Sequence, residues 1–125
     1  MTSLTLDAGA LIAYERRGRR LELILDDAVA GGGQISIPAG VLAQVFRDGS
    51  RQARLGTLLD LEATNVVPLD EQSARIIGVM CAVTGATDVV DASVVLCARM
   101  RRQLVVTSDR DDLLRFDPGL RVVEV

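Results

Sequence analysis

The chain has 125 residues and a net charge of −3, with 17 acidic side chains against 14 basic ones, every one of them arginine. A chain of this length forms one domain, residues 1–125, with a real core and no room for two. The lack of histidine excludes serine–histidine and cysteine–histidine catalysis and histidine zinc sites, and the lack of lysine removes Schiff-base chemistry and the lysine of a phosphate-binding loop. Tyr14, Phe46 and Phe116 are the only aromatic residues, so the core must be built from Leu, Val, Ile and Ala.

The aliphatic run Leu4–Leu6 predicts a first strand that ends at Asp7. Ala8–Arg16 and Arg20–Ala30 have helical periodicity and break near Gly18. Gly31–Gly33 reads as a flexible turn into a strand at Gln34–Ile37; no helix follows the glycines, so they are not a dinucleotide loop. Pro38 suits a first helical turn and opens Ala39–Arg47. A further helix over Ser50–Leu61 precedes a strand at Asn65–Leu69. Asp70 is placed to cap Glu71–Val83, and Thr87 to cap a long helix ending near Arg102. A strand at Leu104–Thr107, a short helix from Ser108 that stops before Pro118, and a strand at Arg121–Val125 complete the chain. Strands alternating with helices indicate an α/β fold, a central parallel sheet with helices on both faces.

No stretch reaches the roughly 18 apolar residues of a membrane span, and the N-terminus lacks the plan of a secretory signal, so a cytoplasmic protein with no membrane partner is expected. Cys81 and Cys97 fall at apolar helix positions without CxxC spacing and read as buried thiols. The arginines form three blocks: Arg16, Arg17, Arg19 and Arg20; Arg47, Arg51 and Arg54; Arg99, Arg101 and Arg102. Each is either a solvated helix face or a surface that holds phosphates.

The chemistry lies in five aspartates on three segments: Asp7 in LTLDAGAL, Asp88 and Asp91 in TDVVDASVV, and Asp109 and Asp112 in VVTSDRDDL. Asp7 and Asp109 follow predicted strands, and ligands of open parallel sheets bind beyond the carboxyl ends of strands. Asp88 and Asp91 share the face of one helix start. Capping for Asp7 and the helix dipole for Asp88 are the structural explanations to weigh against chemistry. Asp91 is harder to explain that way. A carboxylate one turn into a helix and followed by the apolar run Ala92–Ala98 is costly unless it is paired or binds a metal. With Ser108 as cap, Asp111 takes the third helical position of a capping box, which leaves Asp109 and Asp112 for chemistry. Gathered carboxylates raise one another's pKa, and the simplest neutraliser is a hard divalent cation, Mg2+ or Mn2+.

LTLDAGALIA, IPAGVLAQVFR, TDVVDASVVLCAR and LVVTSDRDDL, in this order and spacing, resemble a PIN domain over essentially the whole chain. More narrowly, the chain is similar to the compact ribonucleases that act as toxins of VapBC toxin–antitoxin pairs. The resemblance implies a parallel sheet between helices, Mg2+- or Mn2+-dependent cleavage of RNA, a homodimer, and inhibition by an antitoxin protein. Carried over by position, it implies Asp7, Asp91 and Asp109 as catalytic residues, with Asp88 and Asp112 completing the metal ligands. Gln44 departs from the pattern. The family usually places a Glu there, and an amide ligates without bringing charge, so a second metal site would be weak or absent. The competing reading is therefore a catalytically weak or inactive PIN-like module that binds RNA or protein. A receiver domain would want a paired acid at the first strand and a Lys near the last. A haloacid-dehalogenase-type phosphatase would want Asp-x-Asp, and Ala8 and Gly9 follow Asp7 here.

Overall fold

Five strands and seven α-helices alternate along the chain in a computed structural model that describes residues 1–125. β1 (Leu4–Leu6) leads into α1 (Ala8–Glu15) and α2 (Arg19–Ala30). β2 (Ile35–Pro38) leads into α3 (Ala39–Val45), a 3-10 turn over Gly49–Arg51, and α4 (Ala53–Asp60). β3 (Thr64–Val67) precedes α5 (Glu71–Thr84) and α6 (Val89–Arg101), and β4 (Leu104–Thr107) precedes α7 (Arg110–Leu114) and β5 (Val122–Glu124). The strands form one parallel sheet in the order β3-β2-β1-β4-β5.

Successive strand residues point to opposite faces of a sheet. All of β1 and β2, and Val105 to Thr107 of β4, are buried, so helices cover both faces of the sheet's middle. The core cluster holds 19 side chains, all Leu, Ile, Val or Ala, from β1, β2, β4, α1, α2, α3, α4, α6 and α7. Each large one stabilises the fold by about 1.5–3 kcal/mol when fully buried. The chain starts in the middle of the sheet, steps outward through β2 to β3, then returns past β1 to β4 and β5. The order therefore reverses between β1 and β4, and the carboxyl ends of that pair are the sheet's switch point.

Several boundaries differ from the predicted ones for local reasons. Pro38 does not open α3. It is the last residue of β2 and the N-cap position, with an extended ψ of 139°, and pairs in register with Val67. β3 stops at Val67 because Pro68 cannot donate to a ladder. The predicted Ser50–Leu61 helix is split, because Gln52 turns out of helical conformation and its side chain bonds back to Arg47, Asp48 and Val45. The Gly31–Gly33 turn is tightly specified: Gly32 has φ +83°, and a Cβ on Gly33 would lie 1.9 Å from the Thr2 carbonyl oxygen. No single helix is long and apolar enough to cross a membrane.

Candidate active site

At the switch point the buried Asp7 carboxylate does two structural jobs. Oδ1 accepts the Ala10 N–H at 2.8 Å and caps α1, while Oδ2 accepts the hydroxyl of Thr107, the last residue of β4. The Thr107 oxygen in turn accepts the Asp109 N–H at 2.8 Å. Thr107 thus ties the acid after β1 to the acid after β4. Burial pushes the Asp7 carboxyl above its ordinary pKa; the bonds from Thr107 and Ala10 pull it down, and the charge of Asp109 pushes it up again.

Asp88, not Thr87, is the N-cap of α6: its Oδ1 accepts the N–H groups of Val90 and Asp91, each at 3.0 Å. Asp109, not Ser108, caps α7, through a long 3.5 Å bond to the Asp112 N–H. The third helical position therefore belongs to Asp112, and Asp111 is exposed with no capping-box role. The neighbouring Asp109 side chain, through its closeness and its charge, raises the pKa of Asp112.

Asp91 is the focus of the cluster. It is half-buried, and its pKa is pushed up to about 6, first by desolvation and then by the charges of Asp88, Asp112, Asp7 and Asp109. No hydrogen bond lowers it. The structure therefore brings all five sequence-predicted acids into one field. Asp88, Asp91 and Asp112 line a cavity of about 120 Å³ with Gly85, Ala86, Thr87, Arg115 and Phe116. Gln44 is not among those residues; it lies exposed on α3, one turn beyond Gly40, whose added Cβ would sit 3.6 Å from Val90 at the start of α6.

An all-oxygen donor set of mutually repelling carboxylates, two of them (Asp91 and Asp112) without a protein donor, fits a hard cation. No three of these side chains stand close enough together to share an ion as they are placed. Magnesium meets that condition, since it usually keeps several waters and takes only one or two carboxylates directly.

The other residues singled out in the sequence are committed to the fold to differing degrees. Arg54 stacks over Tyr14 at 4.7 Å and pairs with Glu22, and with Glu15 accepting the Leu55 N–H it ties α4 to α1 and α2. Arg51 stands 3.7 Å from Asp48 in an exposed pair that contributes little, and Arg99 stands 3.7 Å from the half-buried Asp117. Cys97 is buried beside Thr5 with its thiol pKa raised by desolvation, and Cys81 is half-buried. Sequence reasoning missed Thr107 and Arg115. The only signal for Thr107 was a hydroxyl residue closing an aliphatic strand.

No family model matches the sequence, and no curated protein matches it. Solved structures do. The crystal structure of VapBC2 from Rickettsia felis bound to a DNA fragment from their promoter aligns with a TM-score of 0.74 at 14% identity, over 98% of each chain. FitAcB from Neisseria gonorrhoeae aligns with a TM-score of 0.66 at 18% identity over 97% of this chain and 96% of that one. PAE2754 from Pyrobaculum aerophilum aligns with a TM-score of 0.67 at 18% identity over 98% and 84%. At these identities the likeness is one of fold: the five-stranded parallel α/β architecture that the sequence led one to expect.

Proposed function

We propose that this chain is a Mg2+- or Mn2+-dependent endoribonuclease and the toxin of a VapBC-type pair. Asp7, Asp91 and Asp109 are its catalytic carboxylates, and Asp88 and Asp112 complete the metal ligands. The observation that carries the reading is the convergence of five carboxylates at the switch point, with Asp91 pushed up to about 6 and held by no protein donor. Such a field is destabilised by its own repulsion, which Arg115, the one basic residue lining the cavity, relieves only in part. When bound there, a divalent ion lowers the pKa of water and shields the charge of a phosphodiester. Thr107 bonds the Asp7 carboxylate and the Asp109 backbone N–H, so one hydroxyl fixes the acid after β1 and the chain position from which the acid after β4 extends.

The partners follow the same reading: an RNA substrate, an antitoxin protein and a second copy of the chain. One of the similar structures is a VapBC complex, which favours the antitoxin. A dimer is favoured by Ile76, Val79 and Val83, three exposed apolar residues on one stripe of α5. Sedimentation velocity is expected to give the mass of two chains for the parent and of one for Val79→Asp; equal masses would exclude that stripe.

The second reading, a PIN-like module that binds RNA or protein without cutting it, is favoured by Gln44 and by the spread of the acids. Cleavage of a labelled single-stranded RNA, with and without manganese, separates the two. Divalent-dependent product is expected from the parent, and its absence at every metal concentration supports the second reading. Gln44→Glu is expected to tighten manganese binding in calorimetry and to raise the cleavage rate by roughly tenfold, the effect of one added carboxylate at about 1.4 kcal/mol. A variant that matches the parent in both would make Gln44 a bystander.

A further inference from the structure

We infer that Arg115 is a substrate-contact residue whose guanidinium grips a phosphate of the nucleic-acid strand next to the one that is cut. The inference rests on the nuclease reading above. Arg115 lines the same cavity as Asp88, Asp91 and Asp112, and no other basic residue does. It is exposed and takes part in none of the chain's four ion pairs, although it stands near enough to Asp112 for its charge to pull that carboxyl's pKa down. Its backbone is fixed at the end of α7, where its N–H donates to the Asp111 carbonyl at 3.2 Å. One short helix therefore presents Asp109 and Asp112 at its start and this cation at its end.

The need for such a group follows from charge. A cavity walled by three carboxylates repels a polyanion, and an ion held there neutralises only the phosphate it touches. The neighbouring phosphate requires a cation of its own, in the same cavity and not already engaged. Arg54 pairs with Glu22, Arg75 with Glu71 and Arg99 with Asp117, whereas Arg115 is free. A guanidinium also has the planar fork that matches two phosphate oxygens.

The test is steady-state cleavage of a labelled single-stranded RNA in manganese, between about 50 and 200 mM salt. Arg115→Ala is expected to raise KM roughly tenfold with kcat little changed, the loss of one charge-assisted contact. The slope of log(kcat/KM) against log salt should also fall in magnitude by about 0.7, the value of one phosphate contact on a single strand. Arg115→Lys keeps the charge and loses the fork, so it should keep the parent's slope with a KM between the two. If Arg115→Ala keeps the parent's KM and slope, or loses only kcat with the slope intact, the inference is overturned and the nuclease reading stands. A parent that cuts no RNA overturns the nuclease reading itself, and this inference with it.

Discussion

Asp91→Asn is expected to melt at a higher temperature than the parent at pH 7 and, in the same preparation, to lose RNA cleavage by on the order of a hundredfold or more. The two effects have one cause. In the folded chain the Asp91 pKa is about 6 against an ordinary 3.8, so between those values the folded state binds more protons than the unfolded one. Stability therefore falls as pH rises through that window and carries the full penalty at pH 7. Asp91 is partly exposed, and after solvent screening the relief in the asparagine variant is about 1 kcal/mol, or roughly 4 °C in a chain of this size. Calorimetry over pH should show the parent becoming more stable from pH 7 toward 4 and the variant responding less. Saturating manganese should remove the difference at pH 7. A variant with the parent's midpoint at pH 7 would mean that Asp91 carries no electrostatic strain.

The second large effect is expected at Gly9. A Cβ there would lie 1.7 Å from the Ser108 hydroxyl oxygen and 2.7 Å from its Cβ, closer than any real contact. Gly9→Ala must therefore push Ser108 away from α1, and Asp109 is the next residue. Overpacking of this kind costs about 1–3 kcal/mol, and moving the Asp109 carboxylate should lower manganese affinity and cleavage at least tenfold. Ser108→Gly in the same chain should restore both, because the nearest remaining atom, the Ser108 nitrogen, would be at 3.4 Å. A double-mutant cycle measures that coupling. Additive losses, with no rescue, would show that the approach of α1 to the end of β4 does not position the acid.

The sequence made the alternation of strands and helices legible because the aliphatic positions repeat with the right periods, and the middle strands are apolar throughout, as a sheet covered on both faces requires. The five acids were legible for the same reason: each follows a strand or starts a helix. The choice of cap was not. Thr87–Asp88 and Ser108–Asp109 each offer two good capping side chains. Threading decides between them: Gly85 turns the chain at φ +73° ahead of α6, and Thr107 is already held by Asp7 and by the Asp109 N–H. Thr107 itself reads as an ordinary strand former until the register of β1 on β4 is known. Gly9 and Arg115 depend on distances across the fold that no local pattern encodes.

The Thr107–Asp7 bond spans 100 positions of the chain and has a consequence for timing. On a ribosome Asp7 emerges early, but its field has no other members until α6, β4 and α7 have followed and β4 has slid in beside β1. Such distant pairing forms late, because the entropy of closing so long a loop must be met before any contact rewards it. The acidic cluster is thus absent from every nascent length that lacks β4, and local unfolding that frees α7 dismantles it again. On the nuclease reading proposed above, the chain is harmless to the message it is being read from until its own fold is finished.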